Sequence, residues 1–359
     1  MTNDILTVHD LFFIKGGGER LIMTLCQQLR SDLLTAAVSI DSFSLDDLPG
    51  ELFNLNALGT LPGIKTWQLA RAFKKTPPTV HHYNNVIYSG VAAPLANRHF
   101  EKAQNIFYCH TPPRFIYDKK QHYLNGLSAW QKPALKALIR WFQPQYEAAI
   151  NNMDAIIANS KHIQQRIKTH LNQDSHVVYP PCDTHYFNWQ SQGDYYLSVG
   201  RHDPLKRIDV IIEAFKSLPN KKLVVASGGS ETHKLKKSAA GHSNIYFTGW
   251  LEEPKLLDLL GNCLATIYIP EDEDFGMTPV ESMAAGKPVI ASHQGGIKET
   301  VIDQETGLFI GGDQLKNKLI QIVKSLSANK AAAMREACEA RAEDFNQQQF
   351  IDGIKKYLK

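Results

Sequence analysis

The stretch IYIPEDEDFGMTPVESMAAGKPVIAS, residues 267–292, reads as strand, loop, helix and strand in immediate succession, and that order decides the fold class. An apolar run ends at Pro270, acids occupy 271–274, and Gly276 marks a turn. Thr278 and Pro279 then open a helix with Glu281 in its first turn, and PVIAS is the next strand. Strands joined by a crossover helix run parallel. At such a junction the first backbone N–H groups of the helix and the positive end of its dipole suit a phosphate or a polyhydroxylated ligand. Glu273 on the loop and Glu281 on the helix, with seven residues between them, are placed to face one crevice at the strand C-termini, the ligand position of doubly wound sheets. Ionised carboxylates there accept hydrogen bonds from sugar or ribose hydroxyls. An acidic, solvated loop with a helix-capping glutamate accounts for the same composition.

The pattern continues in both directions. Upstream lie the strand YYLSVGR, the helix DVIIEAFKSL, the strands KLVVASGG and NIYFTGW, the helix EPKLLDLLG and the strand LATIYIP, a complete α/β unit. A separate series opens the chain: strand ILTVHD, the glycines Gly16, Gly17 and Gly18, helix ERLIMTLCQQLR, then strands NIFYCH and DAIIANS. Between the two series VVYPPCDTHYFNWQSQGD has paired prolines and no period, and reads as a connector. The expected domains are therefore 1–182 and 183–344, with a C-terminal helix over 345–359 packing back on the first. A chain of 359 residues exceeds what one hydrophobic core organises, and a cleft between two domains is the expected ligand site.

Composition bounds the function. With 43% hydrophobic and 21% charged residues the chain is an ordinary globular protein. A net charge of +3 gives no reason to expect a nucleic-acid partner, which needs a concentrated phosphate-neutralising surface. Cys26, Cys109, Cys182, Cys263 and Cys338 are scattered, without a C-x-x-C pair or a zinc-like grouping, and read as reduced thiols of a cytoplasmic protein. The start MTNDILTVHDLFFIKGGGER lacks the features of a signal peptide. In KPALKALIRWFQPQYEAA, Lys132, Lys136 and Arg140 beside Trp141 and Phe142 suit an interfacial helix and a peripheral membrane contact. A helix turning its apolar stripe into the first domain's core accounts for the same pattern.

The residues that carry chemistry are arranged in a recognisable order. Glu273 to Glu281 has the E-x7-E spacing of retaining glycosyltransferases of family 4, and the match extends well beyond it. YLSVGRHDPLKRIDVIIEAF resembles that family's donor-diphosphate motif, with Arg201 and Lys206 at its basic positions. FTGW, IANS and VYPPCD stand in the expected order, VHDLFFIKGGGER is similar to the glycine-rich opening, and FYCHTPPRFIYD resembles the histidine-bearing strand end of bacterial O-antigen and exopolysaccharide mannosyltransferases.

The resemblance implies a GT-B fold, two Rossmann-like domains facing a cleft, and transfer of a sugar with retention from a nucleotide-diphosphate donor, GDP-mannose by the likeness of CHTPPR and EDFGMTPVE. The acceptor it implies is a polysaccharide or a lipid-linked oligosaccharide. Arg201 and Lys206 would clamp the departing diphosphate, with Arg207 in a lesser role. Glu281 would hold the ribose, Glu273 and His110 the donor sugar, and the backbone around Phe275, Gly276, Met277 and Thr278 would meet sugar and phosphates. Gly17 and Gly18 would line the opposite wall, and Arg114 would assist the sugar or acceptor. The remaining histidines, including the pair His81 and His82, read as structural. No cofactor and no metal are expected: Asp272 and Asp274 form a D-x-D, but two cations already stand where a metal would hold the diphosphate. A sugar-nucleotide epimerase of the same fold and a donor-binding protein without turnover are the alternatives.

Overall fold

A computed structural model of the chain describes residues 4–57, 64–75 and 82–359; of the histidine pair, His81 lies outside them. The chain divides into two compact units, Met1–Pro181 with Gln348–Lys359, and Cys182–Gln347.

The first unit is built on a seven-stranded sheet. Its strands are β1 (Ile5–His9), β2 (Asp32–Thr35), β3 (Leu52–Asn54), β4 (Asn85–Ser89), β5 (Gln104–Cys109), β6 (Ala155–Ala158) and β7 (His176–Val177). They lie in the order β3-β2-β1-β4-β5-β6-β7, every neighbour parallel. Central strands of such a sheet are buried on both faces, so they read as continuous rather than alternating apolar runs; every residue of β4 is buried. On one face Val8, Leu34, Tyr88 and Phe107 pack with Ile139, Phe142 and Tyr146 of the helix Lys132–Asn151. That helix thus turns its apolar stripe into the core, and of its adjacent aromatics only Trp141 faces outward. On the other face Ile87, Ile106, Tyr108 and Ile157 pack with Leu21, Ile22 and Leu25 of the helix Gly17–Leu29 and with Phe350, Ile351 and Ile354 of the terminal helix Gln347–Lys355.

The second unit carries a six-stranded sheet of β8 (Tyr195–Val199), β9 (Lys222–Ala226), β10 (Ile245–Gly249), β11 (Ala265–Tyr268), β12 (Val289–Ser292) and β13 (Gly307–Ile310). Their order is β10-β9-β8-β11-β12-β13, again parallel throughout. One face packs Tyr196, Val225, Ile267 and Ile290 with the helix Ile208–Phe215; the other packs Leu197 and Ala226 with Leu260 and Ala285. The five cysteines are buried. Among the described residues no helix is long and apolar enough to cross a membrane.

In both sheets the chain winds outward from a central strand and then returns to its other side, so the order reverses between β1 and β4 and between β8 and β11. Loops leaving the C-terminal ends of those two strands diverge to opposite faces and leave a gap, the ligand position of open α/β sheets.

The terminal helix is a test of the first unit's core. Phe350, 2% exposed, sets its ring edge-on to Tyr108 with 5.7 Å between centroids. Phe350→Ala is expected to cost roughly 3 kcal/mol or more, read as a lower urea midpoint; an unchanged midpoint contradicts the helix's part in this core.

Candidate functional site

In the second unit, β8 runs to Val199 and Gly200, and the exposed Arg201 follows directly at the reversal point. Among the described residues the Arg201 side chain forms no hydrogen bond or ion pair. The next turn is held locally: the Asp203 carboxylate accepts the N–H of Leu205 at 2.9 Å, and the Lys206 N–H reaches the Asp203 carbonyl at 3.0 Å. Arg207, with φ of 53°, then launches the helix Ile208–Phe215. The neighbouring strand end is tied in by the Glu271 N–H, which donates to the Leu205 carbonyl at 2.7 Å.

This brings Lys206 under the loop that follows β11. Its Nζ donates to the Glu273 carboxylate at 2.7 Å and to the Tyr268 hydroxyl at 3.0 Å, and lies 5.3 Å from the Tyr268 ring centroid. Burial opposes the ammonium's charge, but Tyr268 and Glu273 outweigh it and hold Lys206 above the ordinary lysine range. Burial pushes the Tyr268 phenol up as well, so it remains a hydroxyl beside the cation. Arg207 pairs with Glu271 at 3.2 Å, while its Nη1 is buried without a hydrogen-bond partner among the described residues.

The position of Glu273 rests on a feature the sequence reading passed over, the pair Gly295–Gly296. A Cβ on Gly295, whose φ is +63°, would stand 2.2 Å from the Glu273 carbonyl oxygen, and one on Gly296 would stand 2.3 Å from that of Asp274. The Gly296 N–H donates to the Glu273 carbonyl at 2.8 Å. Only glycines let the two loops approach this closely. The G-G dipeptide after PVIASHQ is the sequence signal that was available.

The helix Met277–Ala284 begins at Met277, because Gly276 takes the N-cap position with φ of 95°. It holds no acid in its first turn: Glu281 lies one residue beyond it, half-buried, and does not cap the helix, which corrects the expected register. The Phe275 ring is buried against Phe345, 5.5 Å between centroids, so only its backbone is available to a ligand. Met277 and Thr278 are partly exposed. Asp272 adopts φ of 56°.

In the first unit the helix likewise opens earlier than expected. Gly17 and Gly18 are its first two residues, with Gly16 as an extended N-cap that has no side chain to offer the first N–H groups. His110, directly after β5, brings its Cε1 within 4.0 Å of where a Cβ on Gly18 would stand. Three residues not singled out in the sequence complete this end of the sheet. The Oγ of Ser89 is 2.8 Å from His110 Nε2, and His9 Nδ1 is 3.1 Å from the Ser89 carbonyl oxygen. The Asp10 carboxylate accepts the N–H groups of Val91, Ala92 and Ala93. Arg114 is engaged by Asp118 at 2.9 Å.

Burial lowers His110 to about 4. Burial, with His110 alongside, lowers His9 to about 3. Asp10 moves the other way, pushed up to about 6 by burial in spite of its three N–H donors. Between the native values and the ordinary histidine range, the unfolded chain holds a proton on each histidine that the native protein lacks. The native protein holds one on Asp10 that the unfolded chain lacks. The histidines outnumber the carboxylate, so this cluster makes stability fall as pH drops from the ordinary histidine value toward that of native His110. Urea unfolding at about pH 7 and about pH 5 is expected to show a larger loss in the parent than in a His9→Gln/His110→Gln variant, by on the order of 1 kcal/mol per histidine; equal losses contradict the lowered values of the two rings.

Comparison with known proteins agrees with this arrangement. Residues 15–186 match the model described as Glycosyltransferase Family 4, and residues 186–345 that described as Glycosyl transferases group 1. The alpha-1,3/1,6-mannosyltransferase ALG2 of Dictyostelium discoideum is 26% identical over 256 residues, covering 58% of this chain and 58% of that protein. The human GDP-Man:Man(3)GlcNAc(2)-PP-Dol alpha-1,2-mannosyltransferase is 26% identical over 241 residues, 57% of this chain and 49% of that protein. The chain thus matches about half to three fifths of the length of these relatives. The Anabaena protein HepE, crystallised with UDP and glucose, has the same fold, with a TM-score of 0.74 at 16% identity over 99% of each chain. With two parallel α/β sheets and the two domain models succeeding one another along it, the chain belongs to the glycosyltransferases of GT-B type, a family 4 domain followed by a group 1 domain.

Proposed function

We propose that the chain is a retaining, metal-independent mannosyltransferase that uses GDP-mannose to extend a polysaccharide or a lipid-linked oligosaccharide. The observation that carries the reading is the Lys206 ammonium, held by Tyr268 and Glu273 where the strand order reverses. Negative charge builds on a diphosphate as the sugar leaves, and a fixed cation in a partly buried site stabilises it more than water does. Arg201, on the same strand end, adds a planar donor suited to phosphate oxygens. These two cations supply the charge that a metal supplies in other transferases, so none is required. Two relatives named as mannosyltransferases, one of them as acting with GDP-Man on a PP-Dol-linked acceptor, support the donor and the class of acceptor. Retention needs no protein nucleophile if the departing phosphate assists the incoming hydroxyl on the same face.

The assay compares GDP-mannose, GDP-fucose, UDP-glucose and UDP-N-acetylglucosamine, with and without EDTA. The parent is expected to prefer GDP-mannose, to be indifferent to EDTA and to give a product of retained anomeric configuration. Lys206→Ala and Arg201→Ala should each lose roughly a hundredfold in turnover, and Glu273→Gln should blur the choice between donors. Preference for a UDP donor overturns the mannose assignment; activity abolished by EDTA and restored by manganese promotes Asp272 and Asp274 to ligands. Release of an altered nucleotide sugar identifies an epimerase, and binding without consumption a donor-binding protein.

We also propose peripheral contact with anionic membrane through the first unit. Lys119, Lys120, Lys132, Lys136 and Arg140 stand in a stretch, 119–146, without an acid, beside Tyr123, Trp130 and Trp141 at 48%, 78% and 37% exposure. Basic side chains with interfacial aromatics bind such surfaces. Flotation with phosphatidylglycerol vesicles should carry the protein at low salt and release it at high salt or in Trp130→Ala/Lys136→Glu; absence of flotation, or equal flotation with phosphatidylcholine alone, contradicts it.

A further inference from the structure

Ser89, at the end of β4, stands between two imidazoles, His9 buried and His110 partly buried, that the proposed chemistry uses only in part. His9 places Nδ1 3.1 Å from the Ser89 carbonyl oxygen and 3.3 Å from its hydroxyl. A carbonyl oxygen only accepts hydrogen bonds, so a neutral His9 facing it carries its proton on Nδ1 and donates. The single proton of the Ser89 hydroxyl is then left for its other neighbour, His110 Nε2 at 2.8 Å. Nε2 accepts it, which puts the proton of a neutral His110 ring on Nδ1. The opposite chain would aim the Ser89 proton at a His9 nitrogen that already bears one. Nδ1 of His110 makes no hydrogen bond among the described residues. Cε1, the carbon bonded to both ring nitrogens, faces Gly18, where the absent side chain leaves the ring edge uncovered.

We propose that Ser89 and His9 are positioning residues which hold His110 as its Nδ1–H tautomer, so that His110 offers the sugar donor a hydrogen-bond donor for a hydroxyl or phosphoryl oxygen. This deepens the functional reading above and rests on it for the identity of the ligand. The tautomer itself belongs to the ligand-free protein. The relay gives Ser89 a role that its neutral, buried hydroxyl would not otherwise need, and it explains why β4, which carries no charged residue, ends in a polar one at the reversal point.

The test labels the histidine rings with nitrogen-15 and reads each nitrogen as protonated or unprotonated by two-bond proton–nitrogen correlation, His110 being assigned by its disappearance in His110→Gln. The parent should show His110 protonated at Nδ1 and unprotonated at Nε2. Ser89→Ala should move the ring to the Nε2–H or an averaged form and lower kcat/KM for the nucleotide sugar about tenfold, the scale of one neutral hydrogen bond. Ser89→Thr, which keeps the hydroxyl, should restore both. A parent protonated at Nε2, or a Ser89→Ala ring still protonated at Nδ1 alone, overturns the proposal even if sugar transfer is normal. A parent that consumes no nucleotide sugar sinks the functional reading instead, and the spectrum still decides the tautomer.

Discussion

Everything at the candidate site depends on a constraint of the all-parallel sheet: every strand ends on the same edge, and where the winding reverses direction the two loops at that edge must part. In the first unit the parting strands are β1 and β4, in the second β8 and β11. The polar groups gather there because the gap exposes backbone ends that apolar side chains cannot satisfy. Asp10 meets three N–H groups after β4, and Lys206 meets the Glu273 carboxylate in the loop after β11. The same topological accident is used twice with opposite chemistry, a carboxylate held by backbone N–H groups beside two imidazoles in one unit, a held cation in the other.

Holding that cation has consequences for binding. An ammonium paired with Glu273 and backed by an aromatic hydroxyl is already oriented, so a ligand phosphate that takes it over spends little on ordering the side chain. The same pairing sets a threshold, since a weakly charged ligand would not displace a carboxylate 2.7 Å away. A nucleoside diphosphate carries the charge to do so. Were the Glu273 carboxylate released in that exchange, it would become available to accept from sugar hydroxyls.

Much of this was legible in the sequence because the relevant signals are local. The E-x7-E spacing, the basic pair after YLSVG and the histidine before two prolines each lie within one loop, so residue order alone brought them to a strand end. Strands with long apolar runs were readable for the same reason. Those that escaped were β2, β3, β7 and β13, of four, three, two and four residues, too short for periodicity, and β4, whose polar ends mask a fully buried run. Helix starts were misplaced where glycine stands at the boundary, Gly17 as a first residue and Gly276 as an N-cap, because glycine's freedom weakens the propensity signal that marks it. The residues missed altogether act across the fold. Tyr268 reaches Lys206 over 62 positions, Ser89 reaches His110 over 21, and Gly295 matters only because the Glu273 loop presses against it. No one-dimensional pattern announces such contacts; they follow from which strands become neighbours.

The central claim is that the reversal point of the second sheet, with Lys206 at its edge, receives the diphosphate of a nucleotide sugar. A crystal structure with GDP bound tests it most directly. The account predicts phosphate oxygens within hydrogen-bond distance of Lys206 Nζ and the Arg201 guanidinium, at the C-terminal ends of β8 and β11. Phosphates bound elsewhere, with Lys206 still paired to Glu273 and Arg201 untouched, would contradict it.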